Sequence, residues 1–195
     1  MVSDALVNGS ATGVPSGLRR VSAWLIDYFL VAIYMGVLVF VVFVVTGGDM
    51  KIASIASPGA RQLLGAVTLT LPVVLYFALS EASARQGTIG KQATQLRVTS
   101  RDLERIGFGR SFVRSALKFA PWELAHAVIH RIPMTGDVPW PVWAGLVGSM
   151  VLAAVYLAGL FTGQGRPLYD LLARTRVVED PPVALGVPAP VGERP

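Results

Sequence analysis

The chain has 195 residues, of which 53% are hydrophobic, and its formal net charge is +5. The apolar residues gather in long blocks between short polar stretches, a pattern typical of membrane proteins, because a helix needs about 20 apolar residues to cross the hydrocarbon core. The chain contains no cysteine, which excludes disulfides and thiolate metal sites. In a chain with such blocks, we interpret the positive charge as a sign of membrane orientation.

The first half of the chain predicts a flexible tail and two spans. Residues 1–17 are small and polar and predict a flexible segment. The first span covers about residues 21–45, contains Asp27 as its one charge, and stops at the Gly-rich sequence of residues 46–49. The second span covers about residues 63–79 and carries no charge. We expect Pro72, near its middle, to kink it.

The second half predicts two further spans of different character. The third, at about residues 108–132, is polar, and each charge at the centre of a span costs about 2.5–3.5 kcal/mol. Its polar side chains are Arg110, Arg114, Lys118, Glu123, His126 and His130. The fourth, at about residues 140–161, has no charge and begins with Trp140 and Trp143, which are typical interface anchors. Its small residues at 145, 149 and 153 predict close helix packing, within the monomer rather than at a dimer contact.

The polar connections carry short elements. A basic connection at residues 81–107 includes a candidate strand at 95–99. It lacks the interleaved aromatic residues of a single-strand nucleic-acid binder. Residues 168–172 predict a short amphipathic helix on the membrane surface. Residues 179–195 are rich in Pro and small residues, which predicts disorder.

Lys and Arg are distributed asymmetrically around these spans. They are frequent before the first span, between the second and third, and after the fourth, and sparse in the other two loops. Four spans place every basic segment on one side, and the positive-inside rule then places both termini in the cytoplasm. The sequence therefore predicts an all-α membrane protein, a bundle of four transmembrane helices with an amphipathic cytoplasmic tail segment. Its expected location is the cell membrane, the cytoplasmic membrane of a bacterium.

Three elements carry a resemblance to a known family. Arg20 stands seven residues before Asp27, in the sequence Arg-Val-Ser-Ala-Trp-Leu-Ile-Asp. Residues 87–98 contain Gly-Thr-Ile-Gly-Lys and Leu-Arg-Val, and residues 167–175 read Pro-Leu-Tyr-Asp-Leu-Leu-Ala-Arg-Thr, with Asp170 as the second Asp. Together they resemble the RDD family over residues 18–178, with Ile, Gln and Arg at positions 89, 95 and 174 where the family usually has Pro, Gly and Gly. The resemblance implies a membrane protein, and transport, including cation/proton antiport, is proposed for some members.

Asp27 is the first candidate site. Arg20 and Asp27 share a helix face about 10 Å apart along the axis, so that Asp27 lies about two turns inside the membrane. A buried carboxylate there indicates an ion or proton site. The alternative is a structural salt-bridge network, in which Arg20, Arg114 or Lys118 pairs with Asp27 and Asp170 completes the network.

A second polar face lies on the third span. Glu123, His126 and His130 fall on one helix face at i, i+3 and i+7, beyond Lys118 on the same helix. A Glu-x-x-His pair occurs in di-iron bundles, but the second motif and the further carboxylates are missing, so we expect no metal. A proton relay is one interpretation, because His titrates near neutral pH. The alternative is a polar face satisfied by neighbouring helices.

Two functions remain open. The first is a small-ion transporter that exchanges cations and protons at Asp27, as an oligomer, because four helices enclose little pathway. The alternative is a non-transporting membrane module that binds a partner protein or anionic lipid. No nucleophile elbow or Ser-His-Asp pattern is present, so we expect no enzyme. We also expect no cofactor and no nucleic-acid partner; membrane lipid is the expected environment.

Overall fold

The computed structural model describes residues 15–49, 57–132, 136–162 and 165–179. The expected flexible segment 1–17 and disordered tail 179–195 therefore lie almost wholly outside the described residues. At the border of the first, α1 begins at Gly17 and runs to Val45, with the Ser16 hydroxyl accepting a hydrogen bond from the Arg19 N–H at 3.3 Å. An N-cap of this kind satisfies one of the free N–H groups at a helix start.

The second helix, α2, runs from Pro58 to Ala82. It is α-helical over Pro58–Gly65, π-helical over Ala66–Thr70 and α-helical again over Leu71–Ala82. The sequence predicted a kink at Pro72, and the irregularity lies directly before it, because a proline ring clashes with the carbonyl of residue i−4 and its nitrogen donates no hydrogen bond. That carbonyl belongs to Thr68 and accepts a hydrogen bond from the Tyr34 hydroxyl of α1.

Two further long helices follow a short one. The short α3 covers Ile89–Ala93, α4 covers Phe108–Ile129 and α5 covers Trp140–Leu160. A Cβ on Gly145 of α5 would lie 2.5 Å from a methyl group of Val128 in α4, and the Ser149 hydroxyl donates to the Pro121 carbonyl at 2.6 Å. Gly145 and Ser149 of α5 therefore pack against α4 of the same chain, as the sequence predicted, whereas Ala153 is exposed.

Within the described residues, three helices are long and apolar enough to cross a bilayer: α1, α2 and α5. The prediction of a mainly helical membrane protein is confirmed to this extent. Helix α4 has 22 residues, and its length would also suffice. Four charged side chains lower its mean hydropathy, so its sequence alone does not identify it as a span: Arg110, Arg114, Lys118 and Glu123.

The fold is not purely helical, and this corrects the predicted all-α class. Strand β1, Leu96–Ser100, pairs antiparallel with β2, Thr175–Glu179, with Val98 opposite Val177. The sequence suggested β1 but not β2. The two strands are far apart in the chain, so no local pattern showed that they would pair. Together with Ala23 and Ile106, residues of both strands form a small hydrophobic core at one end of the bundle.

The predicted tail helix is present as α6, Leu168–Leu172, and its carboxylate faces the bundle. Its polar residue Asp170 is 1% exposed, whereas Leu172 is 58% exposed. Because Asp170 finds charged partners inside the bundle, the helix turns its carboxylate inward and its leucines outward.

Candidate functional site

Seven charged side chains gather at the end of the bundle where the two-stranded sheet lies. We call them the charge cluster: Arg20, Asp27, Glu81, Lys91, Arg114, Lys118 and Asp170. They come from α1, α2, α3, α4 and α6, so that all elements but α5 and the sheet contribute. The candidates predicted from the first span and the tail, Arg20, Asp27 and Asp170, are all buried there.

Arg114 of α4 is the centre of the cluster. Its Nε donates to Asp170 Oδ1 at 2.7 Å, and its Nη1 donates to the two Glu81 carboxylate oxygens at 2.6 and 2.7 Å. Glu81 also accepts from Lys91 Nζ at 2.7 Å. All four of these hydrogen bonds join charged groups at 2.6–2.7 Å, and charge-assisted hydrogen bonds of this length are the strong ones.

Asp170 connects the tail to α1. Its Oδ2 lies 3.8 Å from Arg20 Nη2, and its Oδ1 also accepts from the Thr175 hydroxyl at 2.9 Å. Arg20 in addition donates to the Gly165 carbonyl. The neighbouring Tyr169 lies beneath the Arg114 guanidinium, 5.3 Å from ring centroid to Cζ. Burial, and secondarily the negative charge of Asp170, raises the pKa of the Tyr169 phenol, so this hydroxyl stays protonated.

Asp27 is held by uncharged donors. Its Oδ2 accepts from the Thr88 hydroxyl at 2.6 Å, and its Oδ1 accepts from the Gly90 N–H at 2.9 Å and from the Tyr76 hydroxyl at 3.1 Å. Within the described residues Asp27 forms no ion pair, so the predicted basic partner is replaced by three neutral ones.

Gly90 makes this arrangement possible. A Cβ at this position would lie 2.1 Å from the Ala23 carbonyl oxygen and 2.9 Å from the Asp27 carboxyl carbon. Only glycine therefore allows the first turn of α3 to contact α1 closely enough for its N–H to reach Asp27.

Lys118 differs from the other cations of the cluster. Its Nζ lies 3.6 Å from the Phe77 ring centroid and 5.3 Å from that of Phe119. In the described part of the chain it has neither an ion pair nor a hydrogen bond. It borders a cavity of about 50 Å³ together with Asp27, Arg20 and Arg114. The cluster thus contains four basic and three acidic groups, and Lys118 is the basic group without a bonded acid.

The sequence located part of this site. It identified Arg20, Asp27 and Asp170, and it named Arg114 and Lys118 as partners. It did not identify Glu81, which follows the predicted second span and is 0% exposed. Nor did it identify Tyr76 and Thr88 as donors to Asp27. The available signal for Glu81 was an acid directly after a charge-free apolar block, ten residues before Lys91.

The second predicted face is only loosely organised. Glu123 accepts a hydrogen bond from the Thr70 hydroxyl at 2.7 Å. The His126 ring packs edge-on against Trp122, 4.5 Å between centroids, and lies 6.3 Å from the His130 ring. His126 Nδ1 is buried without a hydrogen-bond partner among the described residues. In the same residues, no three His, Asp or Glu side chains come together as a metal site.

Comparison with known proteins identifies the chain at the level of a family. The model of the RDD family matches residues 14–174, which include all seven residues of the charge cluster. No curated protein and no solved structure matches the chain.

Proposed function

The chain belongs to the RDD family, and from that premise we propose that it is a four-span protein of the cell membrane that binds an anionic membrane partner and does not transport ions. The observation that carries this proposal is the excess cation of the charge cluster: Lys118 is partly buried, and its ammonium group lies over aromatic rings without a bonded acid. A charge that is partly removed from water without a partner is unfavourable, and an anion from outside the chain would relieve that cost.

The fourth span in this proposal is α4. Its charged residue Arg114 points into the bundle, and both of its acidic partners are fully buried. Pairing of this kind removes most of the insertion cost that the sequence alone suggests. Helix α4 also packs against both α2 and α5, which are themselves apolar enough to cross a bilayer. Four spans then place the basic segments, and both termini, on the cytoplasmic side.

Reporter fusions test this topology. A reporter fused after Glu179 and one inserted near Gly136 should report opposite sides of the membrane. The same side for both would show that α4 does not cross, and the four-span proposal would fail. A third fusion, in the loop near Asp102, should agree with the one after Glu179.

Two features of Asp27 argue against cation transport. Its two oxygens already accept three hydrogen bonds from neutral donors, which occupies most of the lone pairs of the carboxylate and indicates a structural role. The adjacent cavity of about 50 Å³ has room for only a few waters, since each water needs about 10–15 Å³ of such volume. Moreover, the basic groups that line this cavity repel a metal cation.

Cation/proton exchange at Asp27 remains the second candidate, because one observation favours it. Asp27 is the acid of the cluster that forms no ion pair within the described residues. It shares the small cavity with Lys118, so a proton or cation could compete there for its negative charge.

Exchange measured in reconstituted vesicles distinguishes the two candidates. Vesicles loaded with a pH-sensitive dye are challenged with sodium, potassium or lithium, and the wild type is compared with empty vesicles and with Asp27→Asn. We expect no exchange above that of empty vesicles. Exchange by the wild type that is lost in Asp27→Asn would contradict our proposal and establish the second candidate.

A further inference from the structure

A cleft opens sideways between α1, α4 and α5. Its volume is about 340 Å³, which is within the range of small-molecule sites, about 300–1,000 Å³. The walls are apolar and aromatic, with Trp24, Trp122 and Met150 among the lining residues. Met150 is 72% exposed at its edge, so the cleft faces the surroundings of the bundle, which in a membrane are acyl chains.

Two hydroxyl groups of this cleft are satisfied within the chain. The Ser149 hydroxyl donates to the Pro121 carbonyl at 2.6 Å, and the Tyr156 hydroxyl donates to the Leu117 carbonyl at 3.1 Å. Of the described residues that line the cleft, Lys118 alone carries a charge. Its ammonium group therefore favours a ligand that carries a negative charge.

The cleft is polarised along the helix axes. Lys118, Leu160 and Tyr169 line both this cleft and the small cavity of the charge cluster, so the cationic end lies beside the cluster. On α5 the cleft extends from Leu160 to Met150, about 15 Å along the axis. The end near Met150 is apolar. A ligand that fits has a negative head at the cluster end and an apolar chain parallel to the helices.

We propose that this cleft binds an anionic phospholipid of the adjacent leaflet, with its phosphate at Lys118 and one acyl chain between α1, α4 and α5. This inference rests on the proposed function and names its partner. A bilayer phospholipid has the required order of groups, with an anionic head at the membrane surface and a chain that runs toward the midplane. The cationic end lies on the side that the positive-inside argument assigns to the cytoplasm, so the lipid belongs to the inner leaflet.

Quenching of tryptophan fluorescence by brominated lipids tests this assignment. Trp24 and Trp122 line the cleft, whereas Trp140 and Trp143 lie at the far end of α5. A Trp140→Phe, Trp143→Phe background therefore leaves the two cleft residues as reporters. The protein is reconstituted in phosphatidylcholine vesicles, and phosphatidylglycerol with brominated acyl chains is titrated against equally brominated phosphatidylcholine.

We expect brominated phosphatidylglycerol to quench at lower mole fraction than brominated phosphatidylcholine. Lys118→Met keeps the length of the side chain and removes its charge, and it should lower the apparent affinity for phosphatidylglycerol about tenfold. Lys118→Arg should retain the preference. The matched control is Arg110→Met, which removes an exposed charge from the same helix and should leave the preference unchanged.

A second variant tests the cleft even if Lys118→Met fails to fold. Ala153→Phe fills the cleft at an exposed position and keeps Lys118, so it should weaken quenching by phosphatidylglycerol while the charge cluster stays intact. Equal quenching by both brominated phospholipids would overturn the proposal. Quenching by a brominated free fatty acid without quenching by phosphatidylglycerol would also overturn it, in favour of a fatty carboxylate.

The same vesicles separate this inference from the proposed function. With the pH-sensitive dye inside, ion exchange by the wild type would refute the non-transporting role whatever the quenching shows. Absence of both exchange and lipid preference would refute the phospholipid site alone.

Discussion

The two ends of the helical bundle satisfy their polar groups in different ways. At the charge cluster, residues distant in sequence meet in buried, short ion pairs around Arg114. At the opposite end, the face formed by Glu123, His126 and His130 has one short side-chain hydrogen bond, from Thr70 to Glu123, and a buried His126 nitrogen without a partner among the described residues. The difference indicates that the charge cluster organises the fold, whereas the face of Glu123, His126 and His130 is held by few contacts with neighbouring helices.

The outer half of α1 strengthens this contrast. Residues 37–45 are almost all Val, Leu and Phe, and Phe40 and Val45 are 67% and 79% exposed. The opposite half of the same helix carries buried Arg20, Ala23 and Asp27. One helix thus contacts the protein at one end and, in a bilayer, lipid at the other.

The largest effect should come from Arg114→Met. This change leaves Glu81 and Asp170 buried without their central cation, and breaking a buried ion pair costs about 3–5 kcal/mol. Arg110→Met on the exposed side of α4 serves as the control and should change stability little. Thermal unfolding in detergent micelles measures both. Equal melting temperatures for the two variants would mean that the cluster does not organise the fold.

Removing one negative charge at each end of the bundle compares the stability that the two regions contribute. Asp27→Asn disturbs three hydrogen bonds to an ionised group and should cost about 1.5–3 kcal/mol. Glu123→Gln keeps an oxygen that can accept from Thr70 and should cost less than about 1 kcal/mol. Unfolding by denaturant in micelles gives both values. A larger loss for Glu123→Gln would reverse our ranking of the two regions.

A smaller but more local effect is expected for Gly90→Ala. The added Cβ collides with the Ala23 carbonyl, so α3 has to move away from α1, at a cost of about 1–3 kcal/mol. Gly109→Ala is the matched control, because no atom lies within 4 Å of a Cβ there and alanine favours a helix by up to about 1 kcal/mol. Proteolysis of the loop near Gly87 should be faster in Gly90→Ala only. Similar cleavage in both variants would show that the contact between α3 and α1 contributes little.

The sequence predicted those features that depend on local patterns. Apolar blocks of sufficient length identify α1, α2 and α5, because the bilayer sets the length of a spanning helix. The family-like elements identified Arg20, Asp27 and Asp170 as candidates. The Pro72 irregularity followed from the geometry of proline, and the small residues of α5 correctly predicted its packing against α4.

Features that depend on contacts between distant residues were not predictable. Strand β2 is five residues long and pairs with a strand about 80 residues earlier, and no local pattern indicates such a partner. Glu81 was missed because an acid at the end of an apolar block is normally expected to lie in water. In the structure it is buried, and its charge is paired with Arg114 and Lys91. The predicted partner of Asp27 was wrong for a similar reason. Its charge suggested a basic partner, but Gly90 lets α3 approach α1 closely, and neutral groups donate to Asp27 instead.

The position of Asp170 also has a consequence for biosynthesis. Arg114 precedes its partner Asp170 by 56 residues, and at about 5–20 residues per second the ribosome needs about 3–11 s to supply that partner. During this interval Arg114 in the nascent chain has only Glu81, and β1 has no β2 to pair with. A chain that terminates before Pro167 keeps that state permanently. A truncated product therefore differs from the finished protein by an arginine that lacks one of its two acidic partners, a difference that quality-control proteases could recognise.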